Sequence, residues 1–228
     1  MKTVPLEYNH FYHIYNRGIN GCNLFHEYEN YEYFLHLYDK YITPVAQTYA
    51  WVLMRNHFHL LVRIKREEEI PFMESRQSMQ TPEGQKDTSG SSINLSESDR
   101  PESVLKKYNP TNQFSHLFNA YTKAINKRYH RTGSLFEHPF RRIKIESDKH
   151  LKYLVYYIHH NPIHHGFCEH YLDYPWSSYL TIVSPKTTKL NRAEVLEWFS
   201  DKSNFEKFHS QEQIEKFNEM NIDFTGDG

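Results

Sequence analysis

Met54-Arg55-Asn56-His57-Phe58-His59-Leu60-Leu61-Val62 is the stretch on which the fold turns. From His57 to Ile64 apolar residues recur at every second position, with Phe58, Leu60, Val62 and Ile64 on one side. That is the pattern of a strand, whose successive side chains point to opposite faces. His57 and His59 then share the other face, where two imidazoles can hold one metal ion. On spacing alone, a metal pair and a pair of surface histidines both stay open. Immediately upstream, Gln47 to Met54 is β-prone, and Arg55-Asn56 separates the two runs, so a hairpin is expected.

Working outward, His10 to Asn16 mixes aromatic and β-branched residues and stops at Arg17-Gly18, a strand ended by a turn glycine. Between this strand and the hairpin, Phe34, Leu37, Tyr38 and Tyr41 mark a helix over Tyr31 to Tyr41, with Pro44 beyond its end. Downstream, Phe114, Leu117, Phe118, Tyr121, Ala124 and Ile125 mark a helix over Asn112 to Tyr129, and Arg141 to Ile145 reads as a strand. The order strand, helix, strand, strand, helix, strand predicts an α+β fold with a ferredoxin-like antiparallel sheet and helices on one face. An extra helix from Ser147 to Asn161 follows, with Ser147 as N-cap, Pro162 as its stop and an apolar stripe of Leu151, Leu154, Val155 and Ile158. Asn191 with Glu194 and Ser210 with Gln213 resemble capping boxes heading two short C-terminal helices. The chain is therefore read as one domain over 1–186, with a helical extension and loose end over 187–228. Residues 66–102 hold nine acids against four bases and few large apolar side chains, which predicts a polar insertion.

The composition, with 38% hydrophobic and 16% aromatic residues, is that of a folded protein. Two cysteines, Cys22 and Cys168, give neither a disulfide framework nor a structural zinc site, and a reducing cytoplasm is expected. No window approaches the ~20 apolar residues that cross a bilayer, so no membrane partner is expected. A net charge of −1 does not by itself point to nucleic acid. The distribution does: residues 104–152 carry eleven Lys or Arg against three acids, an excess a mixed solvated face would not show. Lys123, Lys127, Arg128, Arg131, Arg141, Arg142 and Lys144 in this run, interleaved with Tyr129, Phe136 and Phe140, suit a surface that tracks phosphates and stacks on unpaired bases.

A histidine-triad hydrolase would place a third histidine at 61, where Leu61 stands, and a metallo-β-lactamase-like site would place an Asp-His pair just downstream, where Leu61-Val62 stand. The remaining pattern resembles the histidine-hydrophobic-histidine block of the IS200-like tyrosine transposases, especially those associated with repetitive extragenic palindromes. Further blocks resemble that family in the same order: Tyr12-His13-Ile14-Tyr15-Asn16-Arg17-Gly18, Arg131-Thr132-Gly133-Ser134-Leu135-Phe136, Tyr157-Ile158-His159-His160-Asn161-Pro162 and Tyr174-Pro175-Trp176-Ser177-Ser178-Tyr179. The resemblance covers roughly residues 8–180. It implies a metal-dependent enzyme that nicks and rejoins single-stranded, hairpin-containing DNA through a 5′-phosphotyrosine.

Helical geometry bears on the nucleophile separately. At ~100° per residue, Tyr157 lies about 110° from the centre of the apolar stripe, on the flank, with Asn161 one turn on along the same side. Tyr153 and Tyr156 are its competitors. The resemblance implies Tyr157 as nucleophile, Asn161 as third metal ligand beside His57 and His59, Mg²⁺ or Mn²⁺ as cofactor, and Asn16 and Arg17 as a DNA-contacting turn. A non-catalytic hairpin-binding protein and a zinc hydrolase are the alternatives, and monomer and homodimer are both open.

Overall fold

The protein is described here from a computed structural model covering residues 5–75 and 104–211. Four strands form the main sheet: β1 (Phe11–Arg17), β2 (Ala46–Met54), β3 (His57–Ile64) and β6 (Arg141–Ile145), in the order β2-β3-β1-β6. All three pairings are antiparallel. Helices α1 (Tyr28–Tyr41) and α2 (Pro110–Arg128) pack on one face, and α3 (Asp148–His164) packs on the other. This is the expected ferredoxin-like sheet with an extra helix.

Local chemistry sets the helix ends. Asn109 caps α2 by accepting from Asn112 N at 3.0 Å, and Pro110 takes the first helical position, where its missing N–H leaves no extra orphan. Asn30 Oδ1 accepts from His26 N at 2.9 Å, so α1 begins three residues earlier than its apolar periodicity indicates. Ser147 caps α3 as expected, through His150 N at 3.3 Å. Pro162 does not stop that helix. The turn closes around it, with His165 N donating to Asn161 O at 3.1 Å and Phe167 N to Pro162 O at 2.8 Å, so α3 runs on to His164.

Two apolar cores result, one on each face. Phe58, Leu60, Val62 and Ile64 enter the first with Phe34, Leu117, Phe118 and Tyr121. The second joins α3 to Leu61, Val52 and a β-bulge in β2, where Tyr49 is the unpaired extra residue. The C-terminal extension closes this core rather than decorating it. Val195 of α5 (Arg192–Trp198) and Phe205 of α6 (Lys202–Ser210) are fully buried, and Tyr49 stacks on Trp198 at 5.1 Å. Its α5 starts at Asn191 as expected, but Asn191 spends its amide on Glu194 Oε2 at 2.7 Å and on Tyr49 Oη at 2.9 Å instead of accepting a capping bond. Ser210 ends α6, whose cap is Asp201, and the helix expected after Ser210 lies outside the described residues.

The open edge of β2 is covered by the chain that follows α3. Leu53 N donates to Trp176 O and Ser178 N to Trp51 O, both at 2.9 Å, while Asn191 N donates to Thr48 O at 2.8 Å. The expected polar insertion has ordered shoulders: β4 (Phe72–Ser75) pairs antiparallel with β5 (Val104–Lys107), and the stretch between them lies outside the described residues. No helix among the described residues is long and apolar enough to cross a membrane.

His209 in α6 is buried, and burial pulls its pKa down to about 3. Its folded pKa is thus below its unfolded value, so between these two values the unfolded chain binds a proton that the folded chain does not, and stability falls as pH drops below about 6.5. One such group contributes a slope of about 1.4 kcal/mol per pH unit. Urea denaturation between pH 7 and pH 4 should show this slope steeper in the parent chain than in His209→Gln by about one proton; parallel curves would contradict it.

Candidate functional site

The β1–β3 register aligns Tyr15 with His59 and Arg17 with His57, and the β3–β2 register aligns His59 with Val52. Period-two alternation therefore puts His13, Tyr15, Arg17, His57, His59 and Arg141 on the face covered by α3. The histidine pair is consequently not a bare surface pair: His59 and Asn161 are buried, and His57 is half-buried.

The ring contacts bring the predicted site residues together. His57 and His59 stand edge to face with centroids 5.3 Å apart, and Tyr157 meets His59 edge to face at 5.5 Å. Asn161 Oδ1 is 3.3 Å from His57 Nε2. Tyr153 and Tyr156 turn toward the C-terminal extension, where both meet Phe208 and Tyr156 stacks on His160 at 3.8 Å. Tyr157 is 9% exposed, more enclosed than the flank position implies, because α3 is buried almost all round, by the sheet on one side and α6 on the other.

The other nitrogen of each imidazole is held by a neighbour. His57 Nδ1 is 2.7 Å from Asn56 Oδ1, an atom that only accepts, so we assign its proton to Nδ1. His57 Nε2 then presents a lone pair toward Asn161 Oδ1, and two acceptors facing one another suit a cation between them. His59 Nδ1 meets His13 Nε2 at 2.9 Å. We assign the donor role there to His59, which frees its Nε2 in the same sense. Metal-binding histidines commonly engage their second nitrogen in this way, which fixes ring orientation. Burial drives His13 down to about 3 and holds His59 well below the ordinary imidazole value, helped by nearby His13, His57 and His165. Both rings are accordingly neutral, and His59 can act as a ligand without first losing a proton. Among the described residues no three His, Cys, Asp or Glu side chains gather as a metal set; the donors gathered at this point are two imidazoles and the Asn161 carboxamide oxygen.

A cavity of about 100 Å³ opens on the histidine pair, lined by His57, His59, Tyr15, Arg17, Glu137 and Arg141 among others, with Tyr157 and Asn161 outside its wall. It has room for about three waters. A larger cleft of about 340 Å³, between α1 and β2 on the opposite face, has no histidine in its wall.

The basic run splits between two faces. Arg17 and Arg141 line the cavity, Arg17 in an ion pair with Glu137 at 2.6 Å, and Asn16 is buried beside them with its amide on Glu137 O at 3.2 Å. Arg142 and Lys144 alternate with Ile143 in β6, Arg142 lying over the Phe140 ring at 4.0 Å and Lys144 reaching Glu7 at 2.8 Å. Lys123, Lys127 and Arg128 are exposed on α2, in the layer across the sheet, with Arg128 paired to Glu27. Arg131 bonds Asn126 at 3.2 Å. Sequence reasoning did not single out His13, Tyr15, Glu137 or His165, whose ring lies 4.6 Å from His57. For His13 and Tyr15 the signal was present, since they alternate on β1 as His57 and His59 do on β3.

Gly18, expected as a turn glycine, has an extended backbone with φ −66°. Its requirement is space: a Cβ there would stand 1.9 Å from Cys22 O. It also ties the site loops, its N–H donating to Asn56 O at 2.8 Å beside the histidine pair.

No family model matches the chain, and no curated protein matches it. A solved structure of a REP-associated tyrosine transposase bound to a REP hairpin is similar, with a TM-score of 0.55 over 81% of this chain and 86% of that chain at 15% identity. That likeness is one of fold. From the packing at Gly18, Gly18→Ala should lower stability by about 1–3 kcal/mol in urea denaturation; an unchanged midpoint would contradict the close contact.

Proposed function

We propose that this chain is a tyrosine transposase-type enzyme that nicks and rejoins single-stranded, hairpin-containing DNA. The observation that carries the reading is the placement of Tyr157 edge-on to His59, one helical turn from an Asn161 oxygen directed at His57 Nε2. The fold shared with a hairpin-bound transposase, and two arginines lining the cavity on the histidine pair, support it.

Arg17 and Arg141 bind the backbone phosphates on either side of the scissile bond, and Glu137 orients Arg17. Tyr157 oxygen attacks phosphorus, the bond from phosphorus to the 3′-oxygen breaks, and the hydroxyl proton is formally transferred to that departing oxygen. A 5′-phosphotyrosine and a free 3′-OH result. Because the phosphodiester bond energy is retained in the protein linkage, a second 3′-OH reverses the step and joins a new strand without a nucleotide cofactor. His57, His59 and Asn161 would hold a divalent cation, Mg²⁺ or Mn²⁺, which when bound would supply charge to polarise the phosphate and steady the leaving oxygen. His13 and Asn56 keep the two imidazoles in the tautomer that leaves Nε2 unprotonated.

Incubating the protein and Mn²⁺ with a single-stranded hairpin oligonucleotide taken from palindromic repeats flanking the coding sequence should give a protein–DNA adduct that survives denaturing electrophoresis. Tyr157→Phe should abolish it, and EDTA should prevent it. Mn²⁺ binding, read by calorimetry without DNA, should be lost in His57→Ala and His59→Ala and weakened about 10-fold or more in Asn161→Ala. Tight hairpin binding with no adduct would make the chain a non-catalytic binder, and an adduct that persists in Tyr157→Phe would move the nucleophile to another tyrosine.

A further inference from the structure

The C-terminal extension reaches α3 through a chain of buried hydrogen bonds. His209 Nδ1 lies 2.8 Å from Phe205 O, a pure acceptor, so Nδ1 carries the proton and Nε2 accepts. His159 Nδ1, 2.9 Å from that Nε2, must then donate, which leaves His159 Nε2 to accept from Ser178 Oγ at 2.8 Å. Ser178 Oγ accepts in turn from Trp51 N at 2.9 Å, and Ser178 N donates to Trp51 O at the same distance. A single assignment of protons runs from β2 to α6 and uses every nitrogen of both rings. The Phe205 carbonyl can only accept, so it fixes the direction of the whole chain.

His159 is two residues from Tyr157 and two from Asn161, so at ~100° per residue it projects roughly opposite both. The face of α3 that is pinned is the one turned away from His57 and His59. An apolar contact resists separation but tolerates rotation, whereas hydrogen bonds with fixed donors do not. A tyrosine hydroxyl stands roughly 8 Å from its helix axis, so a rotation of about 10° would carry it ~1.4 Å.

We propose that His209, His159 and Ser178 are positioning residues that fix the rotation of α3 and thereby hold Tyr157 and Asn161 in place against His57 and His59. The inference rests on Tyr157 being the nucleophile. It gives the C-terminal extension a part in catalysis although none of its described residues lines the cavity.

The test uses the full chain with Mn²⁺ and the hairpin oligonucleotide, measuring hairpin Kd and the single-turnover rate of adduct formation at saturating DNA. His209→Met keeps the volume and removes the acceptor that His159 requires; His209→Gln supplies an oxygen in its place. His209→Met and Ser178→Ala should each slow adduct formation about tenfold or more, with Kd within about twofold and a folded state at assay temperature. His209→Gln should stay within about threefold of the parent. An unchanged rate in His209→Met, or equal losses in the Met and Gln variants, would overturn the proposal. Should His209→Met not fold, Ser178→Ala decides alone: a slower rate at unchanged Kd and melting temperature supports it, and an unchanged rate overturns it. A parent chain that forms no adduct would remove the nucleophile assignment and this inference together, whereas an active parent with insensitive variants removes only this inference.

Discussion

Neighbouring side chains of a strand cannot point to the same side, and β3 places that constraint at the centre of the molecule. Phe58 and Leu60 enter the core beneath α1 and α2, while His57 and His59, interleaved with them, face α3. A slip of one residue in register would bury the imidazoles among Phe34 and Phe118 and turn Phe58 toward α3. The apolar layer and the candidate metal site are therefore specified by the same pairing, and neither forms without the other.

Burying imidazoles is costly unless their nitrogens are engaged. Pairing offsets part of that cost, His59 with His13 and His159 with His209. In each pair a neutral ring restrains its neighbour without introducing charge. The Arg17–Glu137 ion pair, by contrast, sits where both partners keep part of their solvent, which lets an incoming phosphate compete for the guanidinium.

The alternation at 57–64, the cap at Ser147 and the succession of strands and helices along the chain were legible in the sequence because each depends on local periodicity or on a single side-chain bond. The approach of Tyr157 and Asn161 to the histidine pair was legible only as a direction on a helix, since distance to a strand depends on packing. Three features were hidden for the same reason. The bulge at Tyr49 leaves no mark in composition; the all-round burial of α3 depends on a C-terminal segment that looks separate along the chain; and the basic run of 104–152 is divided by a strand whose alternation sends Arg141 and Arg142 to opposite faces. Charge counted along a sequence does not reveal which side of a sheet it occupies.

The two edges of the main sheet are treated differently, and the difference bears on association between chains. At β2 the free backbone groups are taken up by the residues around Trp176, Ser178 and Asn191. At β6, the other edge, the strand is short and carries Arg141, Arg142 and Lys144. An open strand edge invites another strand to pair with it, and closely spaced like charges oppose that approach. A second copy meeting β6 edge to edge would bring these cations against their equivalents, whereas a polyanion meeting the same edge would be drawn in. The composition of β6 thus discriminates between two kinds of visitor by charge alone.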